Sequence, residues 1–459
     1  MIMVDKSHAS SIRNTRRTFL KTVGVAVSVA SCDSAIAASR DSDSDHDWKQ
    51  SNSWAGLRAT PGRTAAITDN GPTPYAKTDW KMDLGGSMYN TEPIVVDETA
   101  YLAVSTANDP SKSEGFVGAY NSKTGNQRWK RADLPAPRTP VVSDGRIYFA
   151  TKIPSTPDAD RGGLYALDAE NGKIEWNRTV VQEWAAPIVT EQRVYTSNEN
   201  GAYALNRTTG ETIWKTDGVG GIADGVGGAL SYSDSTIFFG DGTALNAENG
   251  SMKWCIDHDQ FTLGNHAATD DMVYYIRTER VVGDDDSVSV TARSIDDGTT
   301  QWAYESNMSN EWDGRLAIAG GHVVLLNTND EDSIIKALDA ETGAVVWTQR
   351  VNGTYFSSPT IANETIYVGG RSVPGSNRWD GQAVIYAIDL QTGEQKWAYL
   401  LDSTDLETSP ENPPAAGTPV VADGKLYTAT YPSGSTLAYR YIYYSNFFVL
   451  ESYPTLPDS

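Results

Sequence analysis

Ala166-Leu167-Asp168-Ala169-Glu170-Asn171-Gly172-Lys173-Ile174-Glu175-Trp176 is one of seven copies of an eleven-residue unit in this 459-residue chain. The copies run Ala119–Trp129, Ala166–Trp176, Ala204–Trp214, Ala244–Trp254, Ala292–Trp302, Ala337–Trp347 and Ala387–Trp397, each with Gly at its seventh position. No copy slips by a residue. The flanks are strand-like and the middle is turn-like, so the unit reads as a hairpin. A turn centred on the sixth residue sets the first opposite the eleventh, a small methyl facing an indole. Gly at the seventh position supplies the positive φ of a tight turn. Asp or Asn at the third (Asn121, Asp168, Asn206, Asn246, Asp339, Asp389) can hydrogen-bond its own turn backbone, and Ser294 does so in the fifth copy.

A second strand–turn–strand pattern precedes each hairpin, as in Thr139-Pro140-Val141-Val142-Ser143-Asp144-Gly145-Arg146-Ile147-Tyr148. Others start near Pro93, Pro187, Pro359 and Pro419, with degenerate versions near Gly228, Ala267 and Leu316. One unit is then four short antiparallel strands, the size of a propeller blade. Eight upstream hairpins face only seven Ala-to-Trp hairpins. The missing tryptophan is Trp80, which stands before the first upstream hairpin. The expected fold is therefore all-β, an eight-bladed β-propeller of four-stranded antiparallel blades. The N-terminal Trp80 strand closes the last blade beside strands from Thr418 to about Tyr441, and closure removes the exposed sheet edges. The partition expected is a signal over 1–37, a polar tether and lead-in over 38–75, the propeller over 76–441 and an aromatic tail over 442–459. That tail is ambiguous: the run Tyr439 to Leu450 reads as a divergent closing strand, a partner-binding tail or a damaged reading frame.

Acidic residues outnumber basic ones 59 to 37, giving a net charge of −22. Nucleic acid is excluded as a partner, because phosphate binding needs a basic surface. Abundant Asp, spread along the chain, with Lys scarcer than Arg resembles the proteins of salt-loving archaea, in which salt screens self-repulsion. Thr15-Arg16-Arg17-Thr18-Phe19-Leu20-Lys21 looks like a twin-arginine export signal carried by Arg16, Arg17, Phe19 and Leu20. The apolar stretch after it has the length of a signal core, far short of a membrane span. Val29-Ala30-Ser31-Cys32 resembles a lipobox, which makes Cys32 the lipidation site and places the protein on the outer face of the cytoplasmic membrane, with plain secretion as the alternative. The only other cysteine, Cys255, reads as a small buried apolar residue.

The pattern Ala-x-Asp/Asn-x-x-Thr/Asn-Gly-x-x-x-Trp resembles the tryptophan-docking motif of the quinoprotein-type, PQQ-like β-propeller repeats over about residues 77 to 440. The resemblance implies that Trp80, Trp129, Trp176, Trp214, Trp254, Trp302, Trp347 and Trp397 each pack on a neighbouring hairpin and weld adjacent blades. That family divides into dehydrogenases holding pyrroloquinoline quinone and calcium in the ring centre, and cofactor-free scaffolds such as the outer-membrane assembly factor B lipoproteins. This chain lacks the adjacent Cys-Cys pair of the dehydrogenases, and successive motif glycines stand only 38 to 50 residues apart, which leaves little room for active-site insertions. The resemblance therefore implies a monomeric, tethered scaffold that binds a protein or cell-surface ligand without catalysis or cofactor. A quinone- and calcium-dependent dehydrogenase and a polysaccharide-binding propeller are the alternatives.

No Ser/His/Asp set stands out, and the five histidines show no metal-ligand spacing. His258 and His266 share one inter-blade loop. Asp284-Asp285-Asp286 and Asn329-Asp330-Glu331-Asp332 read as solvated turns, and the Gly218–Gly228 run lacks the Lys-Ser/Thr of a phosphate loop. Non-motif aromatics in the inter-blade connections suit an interface. The candidate binding face comprises Trp184, His266, Trp312 and Phe356 from these connections, with Trp379 from a long within-blade loop.

Overall fold

The computed structural model describes residues 53–109, 112–152, 162–179, 183–219, 230–256, 261–279, 287–306, 316–328, 333–354, 356–372, 381–402, 414–432 and 445–455. The export signal, Cys32, Trp312 and Trp379 lie outside these residues.

The described strands form eight sheets arranged as an eight-bladed propeller. Blade 2 is typical: Val141–Ser143, Arg146–Ala150, Leu164–Asp168 and Ile174–Arg178 pair in sequence order, all antiparallel. The first strands begin at Ile94, Val141, Ile188, Ser231, Phe261, Ala317, Thr360 and Val420, where the upstream hairpins were expected. Those of blade 1 (Ile94–Val96) and blade 8 (Val420–Ala422) pack side by side, which closes the ring.

The eleven-residue hairpins have the expected register, with Ala119 opposite Trp129 and Ala166 opposite Trp176, and so on through Ala387 and Trp397. A one-residue irregularity just before each Trp restores the pairing after the six-residue turn. In blade 2, Gly172 N–H donates to Asp168 O at 2.9 Å. The Asp168 carboxylate accepts from the N–H groups of Glu170 and Asn171 at 2.8 and 3.0 Å.

Blade 8 corrects the expected boundary at 441. Its third strand is Asn446–Tyr453, which lies between Lys425–Pro432 and the N-terminal strand Tyr75–Asp83. The aromatic C-terminal segment is thus a closing strand rather than a tail. Phe447, Phe448, Val449 and Leu450 are fully buried, so the apolar run needs a core on both faces. Val449 sits opposite Trp80 with the same local irregularity as in the other hairpins. The eighth docking unit is present but split, its two strands drawn from opposite ends of the chain.

Candidate functional site

Each docking indole reaches across a blade boundary. Trp80, Trp129, Trp176, Trp214, Trp254, Trp302 and Trp347 donate their Nε1–H to the carbonyls of Ser122, Ala169, Arg207, Ala247, Ile295, Ala340 and Leu390, at 2.9–3.0 Å. Every acceptor stands three residues after the Ala of the next blade's unit. The same indoles lie on the turn glycines of those units, so a Cβ on Gly172 would come within 2.6 Å of the Trp129 ring. The last boundary has no continuous turn to offer, and Trp397 donates instead to Pro72 O at 3.2 Å, just ahead of the Trp80 strand.

The ring centre is taken up by the chain's own lead-in. Trp54 exchanges backbone hydrogen bonds with Val95 of blade 1, and Ala55 O accepts from Val142 N–H of blade 2. Pro61, Gly62, Thr64 and Ala65 then accept, in order, from Tyr232, Ala268, Ile318 and Ile361 in the first strands of blades 4, 5, 6 and 7. Ala66–Ile67 adds a parallel strand inside blade 7. Arg63 Nη2 donates to Pro187 O at the edge of blade 3 (3.1 Å), and the Asp69 carboxylate accepts from Gly424 N–H of blade 8 (2.9 Å). All eight blades therefore hold one segment of about fifteen residues.

Two buried guanidiniums lock this hub. Arg58 Nη2 donates to Leu316 O and Pro359 O, both at 2.7 Å, tying blades 6 and 7. Arg63 donates through Nε to Leu230 O (2.9 Å) and through Nη1 to Leu57 O (2.7 Å). Glu92 is the nearby carboxylate, accepting from Arg58 N–H at 2.8 Å and lying 3.8 Å from the Arg58 guanidinium. Burial holds the Arg63 guanidinium down to about 10, with Glu92 opposing the shift. Arg58, Ala59, Arg63 and Ala65 all have positive φ, from 55° to 67°. Each costs roughly 1–2 kcal/mol and persists because the surrounding hydrogen bonds over-determine the path. The crevice beside the hub, lined by Ala55, Thr60, Arg63 and Ile188, encloses about 10 Å³, room for about one water molecule.

The expected binding face is not assembled by the described residues. Trp184 is 1% exposed and packs between blades 2 and 3, its ring 5.1 Å from that of Tyr203. His266 is also buried, with Nε2 3.1 Å from Phe238 O and its ring stacked on Tyr275 at 5.2 Å. Burial pushes its pKa down to about 4. Trp184 stands just ahead of the first strand of blade 3 and His266 within that of blade 5, each covered by the preceding blade, and neither position carries a sequence signal that separates it from a loop. Phe356 is half-buried, tilted edge-on to Tyr386 and seated on Gly370. Cys255 is half-buried rather than fully buried, because alternation after Trp254 turns it away from the core. Among the described residues no three His, Cys, Asp or Glu side chains converge as a metal site. His258 and both acidic runs lie outside the described residues.

The sequence reading attached little to the hub. Its available signal was Trp54 followed by Gly56-x-Arg58 and Pro61-Gly62-Arg63, turn residues interleaved with two cations in an otherwise acidic lead-in.

The family described as outer membrane protein assembly factor BamB matches residues 113–256, 198–329 and 286–442 of this chain. A solved structure of BamB from Moraxella catarrhalis superposes with a TM-score of 0.53 at 16% identity, covering 82% of this chain and 98% of that one. Quinohemoprotein alcohol dehydrogenase from Comamonas testosteroni gives 0.56 at 13% identity, covering 90% and 83%. At these identities the likeness is one of fold. A curated relative, tetrathionate hydrolase of Acidithiobacillus ferrooxidans, is 26% identical over 238 residues, or 44% of this chain. The match spans about 40% of that relative's length.

Proposed function

Because the chain belongs to the outer membrane protein assembly factor BamB family of PQQ-like propellers, we propose that it is a non-catalytic, extracytoplasmic scaffold holding a protein partner or cell-surface ligand. The observation that carries this reading is the filled hub. In the dehydrogenase branch the ring centre holds quinone and calcium; here Trp54 to Ile67 takes that space with hydrogen bonds to the first strands. The hub segment also brings the guanidiniums of Arg58 and Arg63 to the inner strands, which supports a centre built for its own backbone carbonyls. Partner contacts fall to the connections between blades, where Trp312 and Phe356 stand in the sequence, and to the long within-blade loop that carries Trp379. The twin-arginine signal exports the chain, and a lipid on Cys32 tethers it as a monomer to the outer face of the cytoplasmic membrane. The acidic composition suits a salt-loving archaeal cell.

Cross-linking in intact cells followed by purification from solubilised membranes tests the scaffold reading. One partner should recur and be lost in a Trp312→Ala/Trp379→Ala variant; repeated recovery of none counts against the proposal. Added pyrroloquinoline quinone and Ca²⁺ should give no dye reduction with alcohols or sugars, and reduction would overturn it. Lipid on Cys32 and an intrachain disulfide to Cys255 exclude one another, since the chain has only two cysteines. The intact mass of membrane-extracted protein reads which form exists.

The partial match to a tetrathionate hydrolase favours a second reading, hydrolysis of a sulfur oxyanion. Release of thiosulfate or sulfate from tetrathionate by the purified chain would support it and sink the non-catalytic reading.

A further inference from the structure

Asn-x-Ser/Thr, the acceptor sequence for N-linked sugars, occurs six times in the chain, at Asn177, Asn206, Asn249, Asn307, Asn352 and Asn363. An N-linked sugar is bulky and hydrated, so it needs a surface position. The transferring enzyme must reach both the amide nitrogen and the hydroxyl two residues on. Asn307 lies outside the described residues. In four of the others the fold engages or buries one of the two groups. The Asn206 Oδ1 accepts from the N–H groups of Thr208 and Thr209 at 2.9 and 3.0 Å, and the Trp176 indole donates to Arg207 O, the middle of that triplet, at 3.0 Å. The Asn249 Oδ1 accepts from Ser251 N–H at 2.9 Å, and Gly250 between them lies against the Trp214 ring. Reaching either triplet would unseat a weld between blades. Thr354, the hydroxyl partner of Asn352, is buried. At Asn363 the nitrogen that a sugar would occupy donates to Asn70 Oδ1 at 2.9 Å, and the backbone N–H donates to Ile67 O of the hub.

Asn177-Arg178-Thr179 differs on each count. It ends the outermost strand of blade 2, Ile174–Arg178, whose outer edge has no strand beside it among the described residues. Asn177 and Thr179 are both exposed and, two residues apart at the end of a strand, fall on the same side of it. Among the described residues neither side chain has a hydrogen-bond partner. Arg178 turns the other way. Its guanidinium donates to Gly210 O and Thr212 Oγ1 of blade 3 at 3.0 and 2.8 Å, and lies 5.6 Å from the centre of the Trp184 ring. The middle residue thus clamps the strand end to the next blade and leaves the two acceptor groups facing solvent.

We propose that Asn177 is an N-glycosylation site, with the Thr179 hydroxyl as its recognition element. The proposal rests on the extracytoplasmic reading above, because lipid-linked oligosaccharides are transferred on the outer side of the membrane. In the transfer, carried out by a separate enzyme, Asn177 Nδ2 attacks the anomeric carbon of a lipid-phosphate-linked oligosaccharide. The C1–N bond forms, the C1–O bond to phosphate breaks with its electron pair leaving on the phosphate, and the amide gives up one proton to the enzyme's base.

The full chain is purified from the membranes of the cells that make it and digested with trypsin. The peptide holding Asn177 should carry a mass increment made up of sugar residues, placed on Asn177 by fragmentation. Asn177→Gln and Thr179→Ala should each abolish the increment, Thr179→Ser should retain it, and Asn363→Gln should leave it unchanged. An Arg16→Lys/Arg17→Lys variant, held in the cytoplasm, should also lack it. The wild-type peptide decides the site by itself should a variant not fold. An exported chain with a bare Asn177, or an increment that survives Thr179→Ala, overturns the site and leaves the scaffold reading standing. A chain found only in the cytoplasm with its signal intact overturns the export reading, and this site with it.

Discussion

At Gly172 the backbone φ is 70°, and the Trp129 ring lies 2.6 Å from where a Cβ would stand. Gly145, in the other turn of the same blade, has the same φ of 70° with nothing within 4 Å of that position. The pair separates backbone strain from docking contact. Gly145→Ala should cost about 1–2 kcal/mol for the left-handed conformation alone. Gly172→Ala should cost about 2–4 kcal/mol, because displacement of the indole is added. Equal losses of stability in denaturant titrations would mean that the ring contact contributes nothing. His266 gives a pH prediction. Its folded pKa, about 4, lies below the ordinary 6.5, so the native state binds fewer protons than the unfolded chain. Its contribution is fully present above pH 6.5 and is lost as pH falls toward 4. At pH 5 the loss is about 2 kcal/mol. His266→Gln should flatten that part of the stability–pH curve, and an unchanged slope would show that another group titrates there.

Blade 8 is the element on which the ring depends, since its outer pair joins the two ends of the chain. Trp80 contacts the turn of blade 1, packs on Phe447 at 5.6 Å and belongs to a strand whose sheet partner is Asn446–Tyr453. Trp80→Ala should cost about 2–4 kcal/mol, somewhat less than a fully buried indole, because Trp80 is half-buried. Termination after residue 445 removes the strand between Lys425–Pro432 and Tyr75–Asp83, leaving two open edges. That chain should elute as aggregates or swapped oligomers, and a folded monomer of native near-ultraviolet dichroism would refute this account of closure. Seven docking hairpins were legible because their spacing is invariant and every contact that sets it is local. The eighth was half-legible: Trp80 was conspicuous, but its partner Val449 is neither Ala nor followed by a turn. Trp184 and His266 were misplaced for a related reason. Trp184, ahead of a first strand, and His266, inside one, look like loop residues until the neighbouring blade closes over them.

In the whole molecule, the hub couples blades that are far apart in sequence. Arg63→Met would leave the carbonyls of Leu57, Pro187 and Leu230 without their donor. A loss of about 2–4 kcal/mol is expected in guanidinium unfolding. Lys123→Met, at an exposed pair with Glu98, should change stability by less than about 0.5 kcal/mol. The net charge of −22 acts on the same scale. Salt above about 1 M shortens the screening length to roughly 3 Å and should raise the melting temperature. A flat response would count against the salt-adapted reading. The repeat itself determined the all-β class, the blade number, the hairpin register and the need for Trp80 at the closure, because those follow from contacts within one turn or from counting. Tertiary structure alone decided that the lead-in fills the ring and that the C-terminal segment is a core strand. Each of these joins residues through the curvature of the closed ring, which no local spacing records.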